Sequence, residues 1–317
     1  MSDCRRGVNL GSVKPSYRNP RVFRWVSYLW HDAIVKSWRP VRPAFAKPKP
    51  EAWRDDRLTA AWLGHSTVLI NFFGVRIITD PVLFPRIGVR FPLLFTAGPK
   101  RLTAPALTIN ELPPIDLILL SHAHFDHIDR RTLSHIGWRN RSAKVATAVH
   151  TRDLLCGTGL RNIAELKWRE QISIQIPAGV INVTAIQVKH WGARMQHDDY
   201  RGYNGYLIER NGQRVLFAGD TAFSEKFGEL RRYGSIDLAI FSVGAYQPWI
   251  RSHCSPEQAI QMANDAGAKF IMPVHHQTFR LSFEPFGEPI ERFENALRSQ
   301  PQRIALRKIG ETFVLPN

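Results

Sequence analysis

From residue 58 onward, short runs of aliphatic and β-branched residues recur along the chain, separated by polar or glycine-containing breaks. Such runs are typical of β-strands, and the pairs Phe73-Gly74 and Asn211-Gly212 favour hairpin turns because Gly and Asn tolerate positive φ. The predicted strands are 67–72, 75–79, 117–121, 144–148, 172–176, 181–188, 205–209, 214–218, 238–242, 270–273 and 313–315.

Helical periodicity appears between the later strands, over 224–233, 256–266 and 289–299. Ser255 before Pro256 matches an N-cap residue followed by a proline in the first helical turn. Because hairpins come first and strand–helix alternation comes later, the pattern predicts an α/β (α+β) chain with two sheets covered by helices.

The first fifty residues have a different composition from the rest of the chain. The 317 residues carry a formal net charge of +16, from 43 Lys and Arg against 27 Asp and Glu, and residues 1–50 hold 11 of those cations and two of the acids. Prolines between Pro40 and Pro50 predict a linker. We therefore predict a basic, aromatic N-terminal arm and linker over 1–50 and a main domain over 51–317. The arm either packs its aromatic side chains on that domain or contacts an anionic membrane.

The charge also suggests a nuclease or nucleic-acid-binding protein, but no recognition motif accompanies it and more than half of the excess lies in the arm. No apolar run approaches the ~18 residues of a transmembrane helix. Residues 7–16 are too polar for the core of a signal peptide. We therefore expect a cytoplasmic protein, with peripheral membrane contact as an alternative and nucleic acid as a disfavoured partner.

The sharpest polar cluster directly follows the apolar run 115–120 and consists of His122, His124, Asp126 and His127. Buried polar side chains need partners, so three imidazoles and a carboxylate in six residues are poor core material. Imidazole nitrogen and carboxylate oxygen suit zinc or another borderline divalent metal. The sequence therefore predicts a metal site at the end of this strand.

One short cluster cannot complete two metal sites, and three further residues follow predicted strands: His190, Asp220 and His275. The carboxyl ends of strands in open sheets are where binding sites form, so we expect these side chains to join the cluster. Gly219 permits close approach of the backbone next to Asp220.

These residues, in this order, resemble the metallo-β-lactamase-fold hydrolases. The flanking segments are similar to one branch of them, which contains the N-acyl-phosphatidylethanolamine-hydrolysing phospholipase D and its bacterial relatives; lactonase-type hydrolases are more distant. The resemblance runs from about residue 57 to the C-terminus, and the flanking segments are 62–70, 79–81, 98–101, 111–116 and 243–246.

The resemblance implies an αββα four-layer sandwich that holds two Zn²⁺ ions, or another divalent metal, between its sheet edges. It assigns the first metal to His122, His124 and His190. It assigns the second metal to Asp126, His127 and His275, with Asp220 bridging the two ions. His275 is preferred to His276 because the branch has Ile-His-Trp-Gly-Thr-Phe where this chain has Val-His-His-Gln-Thr-Phe.

The resemblance also suggests catalytic residues. Asp126 would orient a hydroxide that bridges the metals, and His253 resembles a family histidine near the substrate's phosphate. His65, after Gly64, is interpreted either as a partner of a metal ligand or as a core histidine of a hairpin.

The expected function is that of a dinuclear zinc-dependent phosphodiesterase, in its most specific form a phospholipase D-like enzyme for N-acyl phospholipids. A lactone or carboxyl-ester hydrolase of the same fold is the alternative, because the same hydroxide attacks carbonyl carbon. A nuclease or nucleic-acid-binding protein is the second alternative. The absence of a cysteine near Asp220 argues against the antibiotic-hydrolysing branch that uses a thiolate ligand.

Overall fold

The computed structural model describes residues 39–91, 96–195 and 197–316. Within these residues the largest sheet has seven strands. In spatial order they are β15 (Thr312–Val314), β1 (Leu58–Gly64), β2 (Thr67–Phe72), β3 (Val75–Thr79), β6 (Leu117–Leu120), β7 (Lys144–Ala148) and β8 (Asn162–Leu166). We call this the first sheet.

The second sheet has six strands within the same described ranges. In spatial order they are β14 (Ala268–Val274), β13 (Ile236–Ser242), β12 (Gln213–Phe217), β11 (Gly205–Arg210), β10 (Gly179–Ile186) and β9 (Gln171–Ile176). A separate ribbon pairs β4 (Val89–Arg90) with β5 (Thr96–Ala97).

Each sheet changes from antiparallel to parallel pairing along its width. The first sheet runs antiparallel from β15 to β3 and parallel from β3 through β6 and β7 to β8. The second runs antiparallel from β9 to β12 and parallel from β12 through β13 to β14. Parallel neighbours within one sheet end at the same edge. The loops that follow β12 and β14 therefore lie at one edge of the second sheet, and the loop that follows β6 leaves the first sheet.

The apolar core lies between the two sheets, and a second apolar layer lies under helices. Alternation along β13 shows this directly, because Leu238 and Ile240 join the cluster shared by both sheets. Ala239 and Phe241 point to the opposite face and join the cluster that contains Met262 of a covering helix. This period-two pattern confirms the predicted sandwich of sheets flanked by helices.

The α-helices of the described chain are α1 (Arg130–Arg139), α2 (Pro256–Asp265) and α3 (Glu288–Ala296). Ser255 caps α2 through a capping box with Gln258. Residues 224–233, predicted as a helix, form a 3₁₀ helix over Glu225–Tyr233. Shorter 3₁₀ helices span Pro50–Ala52, Arg152–Leu155 and Pro301–Arg303. None of the described helices is both long and apolar enough to cross a membrane.

Besides the ribbon of β4 and β5 and the short 3₁₀ helices, three elements are absent from the sequence-based prediction: α1, β1 and β8. In α1, Asp129 accepts hydrogen bonds from the backbone of Arg131 and Thr132, and the buried Leu133 and Ile136 anchor the helix to the core. β1 contains the weak strand formers Ala60 and Ala61, and pairing with a strand on each side overrides their propensity.

Residues 1–38 of the predicted arm lie outside the described residues. The described part of the proline-rich segment is hydrogen-bonded to the domain, with Arg42 N donating to Leu102 O (2.8 Å) and Phe45 N to Ile309 O (3.0 Å). The boundary at residue 50 stays a prediction.

Candidate metal centre

The predicted metal loop, residues 122–127, leaves the end of β6 where the first sheet is tied to the second. The buried Tyr206 on β11 donates its hydroxyl hydrogen to Leu120 O at 2.8 Å. Asn204 N donates to Ser121 O at 2.9 Å. These bonds between sheets hold the start of the loop against the second sheet, which supplies the remaining candidate ligands.

A first cluster consists of three imidazoles, from His122, His124 and His190. Their Nε2, Nδ1 and Nε2 atoms converge, with separations of 2.8 Å from His122 to His124 and 3.4 Å from His124 to His190. His190 donates its Nδ1 hydrogen to Ser252 O (2.8 Å), which leaves the Nε2 lone pair facing the cluster. Burial lowers the pKa of His124 to about 3 and of His190 to about 4, so both rings are neutral at pH 7.

A second cluster consists of Asp126, His127 and His275. The Nε2 atom of His127 lies 3.6 Å from Asp126 Oδ2, and that of His275 lies 3.5 Å from the same oxygen. On the opposite side of its ring, His127 Nδ1 lies 2.6 Å from the fully buried carboxylate of Asp80. Burial raises the pKa of Asp80, and His127 counters this effect. When ionised, the Asp80 carboxylate only accepts, so His127 donates through Nδ1 and presents Nε2 to the cluster.

Asp220 lies between the two clusters. Its Oδ2 atom is 3.1 Å from Nε2 of His127 and 3.3 Å from Nε2 of His275. Potential ligand atoms of Asp220, His253 and His190 of the first cluster also lie within 4.8 Å of one another. Ser242 Oγ donates to the other carboxylate oxygen at 2.7 Å and fixes its orientation. Asp220 therefore has the position that a ligand common to two ions requires.

Gly219 is the residue that lets Asp220 reach this position. Its φ of +60° is rare for residues with a side chain, and a Cβ atom there would meet Ser121 Cβ at 2.7 Å. The close contact between the ends of β12 and β6 therefore requires glycine.

The electrostatics of the second cluster fit divalent cations. Burial opposes protonation of His127 and His275, but the carboxylates of Asp220 and Asp126 together outweigh it, with Asp80 adding to their effect on His127. They raise the pKa of His127 well above its usual value and that of His275 to about 9. The histidine cations in turn outweigh burial and lower the pKa of Asp126 and Asp220 well below the usual range. Protons on these imidazoles thus balance the carboxylates in metal-free protein.

The Nε2 atoms of His127 and His275 are buried, and neither makes a well-aligned hydrogen bond. Buried polar atoms without partners are costly, and a metal ion that displaces the protons would satisfy both nitrogens. Imidazole nitrogens and carboxylate oxygens form a donor set suited to zinc and similar ions. The residues present therefore fit a metal centre.

His253 lies in the wall of this centre. Its ring centroid is 5.1 Å from that of His190 and 5.5 Å from that of His275. Its Nδ1 atom is 3.9 Å from Asp220 Oδ2. Burial holds the pKa of His253 well below its usual value, so the ring is neutral. The segment between Tyr246 and His253 thus brings this side chain to both clusters.

His65 contacts a candidate ligand. Its Nε2 atom is 3.0 Å from Asp126 Oδ2, and its ring centroid is 4.0 Å from that of His275. Burial, reinforced by His275, lowers the pKa of His65 to about 3. A neutral ring next to a carboxylate donates its Nε2 hydrogen, so His65 orients Asp126.

Asp80 is a site residue that sequence reasoning noted only within a flanking segment. Besides His127, it accepts hydrogen bonds from Ser121 N (2.7 Å) and Ser121 Oγ (2.5 Å). Ser121 Oγ in turn lies 2.8 Å from His122 Nδ1. One buried carboxylate thus aligns ligands of both clusters, and its place directly after β3 is the signal that could have identified it.

His276 has different surroundings from its neighbour. Its ring centroid lies 4.5 Å from that of Trp62, and neither of its nitrogens makes a hydrogen bond. Burial lowers its pKa to about 3. The structure places His275 in the second cluster and His276 against the core.

Comparisons with known proteins show what the chain is similar to. The family model described as Beta-lactamase superfamily domain matches residues 75–276. The N-acyl-phosphatidylethanolamine-hydrolyzing phospholipase D 1 of Caenorhabditis elegans is 29% identical over 76% of this chain and 70% of its own. A metal-dependent hydrolase of Cupriavidus taiwanensis is 29% identical over 82% of this chain and 84% of its own.

Solved structures share the fold. Igni18, a metallo hydrolase from the archaeon Ignicoccus hospitalis, superposes with a TM-score of 0.62 over 82% of this chain and 99% of its own, at 19% identity. At that identity the likeness concerns the fold.

Proposed function

The chain belongs to the metallo-β-lactamase superfamily and is a metal-dependent hydrolase, and on that basis we propose that it is a phosphodiesterase with two zinc ions. The observation that carries the proposal is the arrangement of two ligand clusters around one shared carboxylate, Asp220. A centre with one ion would use only one of these clusters. We assign the catalytic domain to residues 51–317.

We assign three imidazoles to one ion, those of His122, His124 and His190. We assign to the other ion Asp126, His127 and His275, with Asp220 common to both. Bound divalent ions lower the pKa of a water molecule toward neutrality and offset charge that develops on phosphoryl oxygens.

The chain's own residues supply orientation and hydrogen bonding. His65 contacts the Asp126 carboxylate at 3.0 Å and so keeps it oriented toward the other residues of the second cluster. His253 is neutral and buried in the wall, so it carries one N–H donor that suits a phosphoryl oxygen. Asp80 keeps His127 in the tautomer with a free Nε2 lone pair.

A phosphodiester is proposed as the substrate because of the similarity to the C. elegans phospholipase D, and an N-acyl phospholipid is its most specific form. Lactones and carboxyl esters, which the same centre could attack at carbon, are competing substrates in the test. The fold and the donor set alone do not separate these reactions.

The test combines metal content with turnover of three substrates: an N-acyl phosphatidylethanolamine, bis(p-nitrophenyl) phosphate and a simple lactone. We expect about two zinc ions per chain and hydrolysis of both phosphodiesters. Asp126→Asn combined with His127→Asn should abolish that hydrolysis, whereas the exposed control His150→Asn should retain it. Lactone turnover without phosphodiester turnover would overturn the substrate assignment, and full activity with one ion would overturn the dinuclear centre.

A further inference from the structure

Next to the metal loop lies a cavity of about 750 Å³ that none of the assigned metal ligands lines. Phe125 of the loop forms part of its wall. Five arginines line it as well: Arg86, Arg90, Arg130, Arg131 and Arg194. We call it the arginine cavity. Among its described lining residues the only acid is Asp129, whose carboxylate accepts backbone hydrogen bonds at the start of α1.

Helix stability does not explain where two of these cations lie. Arg130 and Arg131 are the first residues of α1, and no acidic residue occupies its first turn. A helix N-terminus carries partial positive charge, so two added cations there are unfavourable for the helix itself. An anion in the cavity would remove that repulsion and would also meet the positive end of the helix.

Three of the five guanidinium groups are held in position by contacts within the protein. Arg131 Cζ lies 3.7 Å from the centroid of the Phe84 ring, and Arg130 donates to Cys156 O at 2.8 Å. Arg194 Cζ lies 3.9 Å from the centroid of the Phe125 ring. Ordered side chains lose less entropy on binding, and guanidinium groups match phosphate oxygens in geometry.

Two exposed apolar side chains also line the arginine cavity. Val89 is 41% exposed and Met195 is 59% exposed, and both line the cavity. Cations next to exposed apolar side chains suit a phosphate group that lies at the boundary of acyl chains. The apolar side chains favour a lipid over a nucleic acid, whose non-specific binding rests on phosphate contacts and makes no use of them.

We propose that the arginine cavity binds the phosphate group of an anionic phospholipid headgroup, at a site separate from the metal centre. The proposal goes beyond the proposed function, because it concerns a cavity that none of the assigned metal ligands lines. Free phosphate offers the same oxygens, and the experiment separates the two sources.

The test measures sedimentation of the full chain with phosphatidylcholine vesicles that contain phosphatidylglycerol, in wild type and in Arg130→Gln/Arg131→Gln. The matched control is Arg161→Gln/Arg298→Gln, which removes the same charge from two exposed positions outside the cavity. Loss of two cations near an anionic surface should weaken binding roughly 10- to 30-fold, whereas the control should change it much less. Arg90→Gln, a single exposed change, should give a smaller loss in the same direction.

Two further measurements complete the design. Unchanged turnover of bis(p-nitrophenyl) phosphate and an unchanged melting temperature would show that the variants fold; if the wild type hydrolyses nothing, the binding comparison still stands. Calorimetry measures the binding of inorganic phosphate to the same variants. The comparison distinguishes free phosphate from a lipid headgroup as the bound anion.

Arginine-dependent vesicle binding that inorganic phosphate inhibits supports the proposal. Equal vesicle binding by the cavity variant and its control overturns it and assigns the membrane contact to another surface. Arginine-dependent binding of inorganic phosphate without vesicle binding overturns the lipid source, as would arginine-dependent binding of duplex DNA alone.

Discussion

The two ligand clusters of the metal centre use similar donors in different electrostatic surroundings. The first cluster is three imidazoles, and burial keeps the pKa of His124 and His190 at about 3 and about 4. In the second, carboxylates surround the imidazoles, and the pKa of His275 is raised to about 9. The first cluster is thus ready for a cation at neutral pH, whereas the second must release protons to accept one.

The largest effect should come from Asp220, which faces both clusters. Asp220→Asn removes the negative charge that attracts cations to each of them. We expect loss of metal from both clusters and a fall in kcat/KM of at least roughly 10²–10³-fold, the cost of losing one strong electrostatic group in an active site. Metal analysis and kinetics of the variant measure both quantities.

The control is Asp199→Asn, which changes an exposed carboxylate. Retention of one full equivalent of metal by Asp220→Asn would show that the clusters are independent, and the shared-ligand assignment would then be wrong.

His65 should affect one cluster only, because the carboxylate that its ring contacts is that of Asp126. His65→Asn suits the backbone there, whose φ is 53°, and removes the orienting donor. We expect metal affinity of the second cluster to fall about 10- to 100-fold, with the first cluster unchanged. Competition with a chelating dye, resolved into two binding steps, checks this split. Equal weakening of both steps would refute the distinction between the clusters.

Proton release on metal binding should distinguish the two clusters in the wild-type protein. At pH 7, metal-free His275 is protonated because its pKa is about 9, so metal binding to the second cluster releases protons. His124 and His190 are already neutral, and binding to the first cluster should release none from them. Calorimetric titration in buffers of different ionisation enthalpy counts the protons. Release should fall as pH rises through about 9.

Stability of the chelated protein should depend on pH in two opposite ways. His275 has a folded pKa of about 9 and a usual value of 6.5, so its contribution is full below 6.5 and is lost as pH rises through about 9. His190, lowered to about 4, behaves oppositely, and its contribution is lost as pH falls from 6.5 toward 4. Urea unfolding should therefore show greatest stability near neutral pH. A monotonic rise from pH 4 to 10 would contradict these assignments.

The smallest effect should come from His276, the neighbour of a candidate ligand. His276→Phe keeps an aromatic ring against Trp62 and removes two buried nitrogens that make no hydrogen bonds. We expect unchanged metal content and stability that is unchanged or about 1 kcal/mol higher. His275→Gln, made in parallel, should lose the second ion. Loss of metal in His276→Phe would show that the two histidines have been assigned in the wrong order.

Local pattern was sufficient for much of the fold. Period-two runs and glycine turns predict most strands, and the capping residues around Pro256 predict α2. It failed for α1, whose basic first turn carries no acidic start signal apart from the cap Asp129. It also failed for β1, because Ala60 and Ala61 become strand residues only through their neighbours.

The candidate ligands could be selected from the sequence because each lies after an apolar strand, where the strand itself does not require a polar residue. The roles of Asp80 and His65 could not, since they depend on contacts of 2.6 Å and 3.0 Å with residues 47 and 61 positions away. The arginine cavity was equally hidden, because its cations come from three separated segments.

The sequence alone therefore determined the family, the kind of fold and the chemistry of the donor atoms, because these depend on local periodicity and residue type. The tertiary structure decided which imidazoles share a carboxylate and which stay neutral. That difference arises from burial and from the distances between side chains of the two sheets. These side chains come into contact only when the core between the sheets has formed.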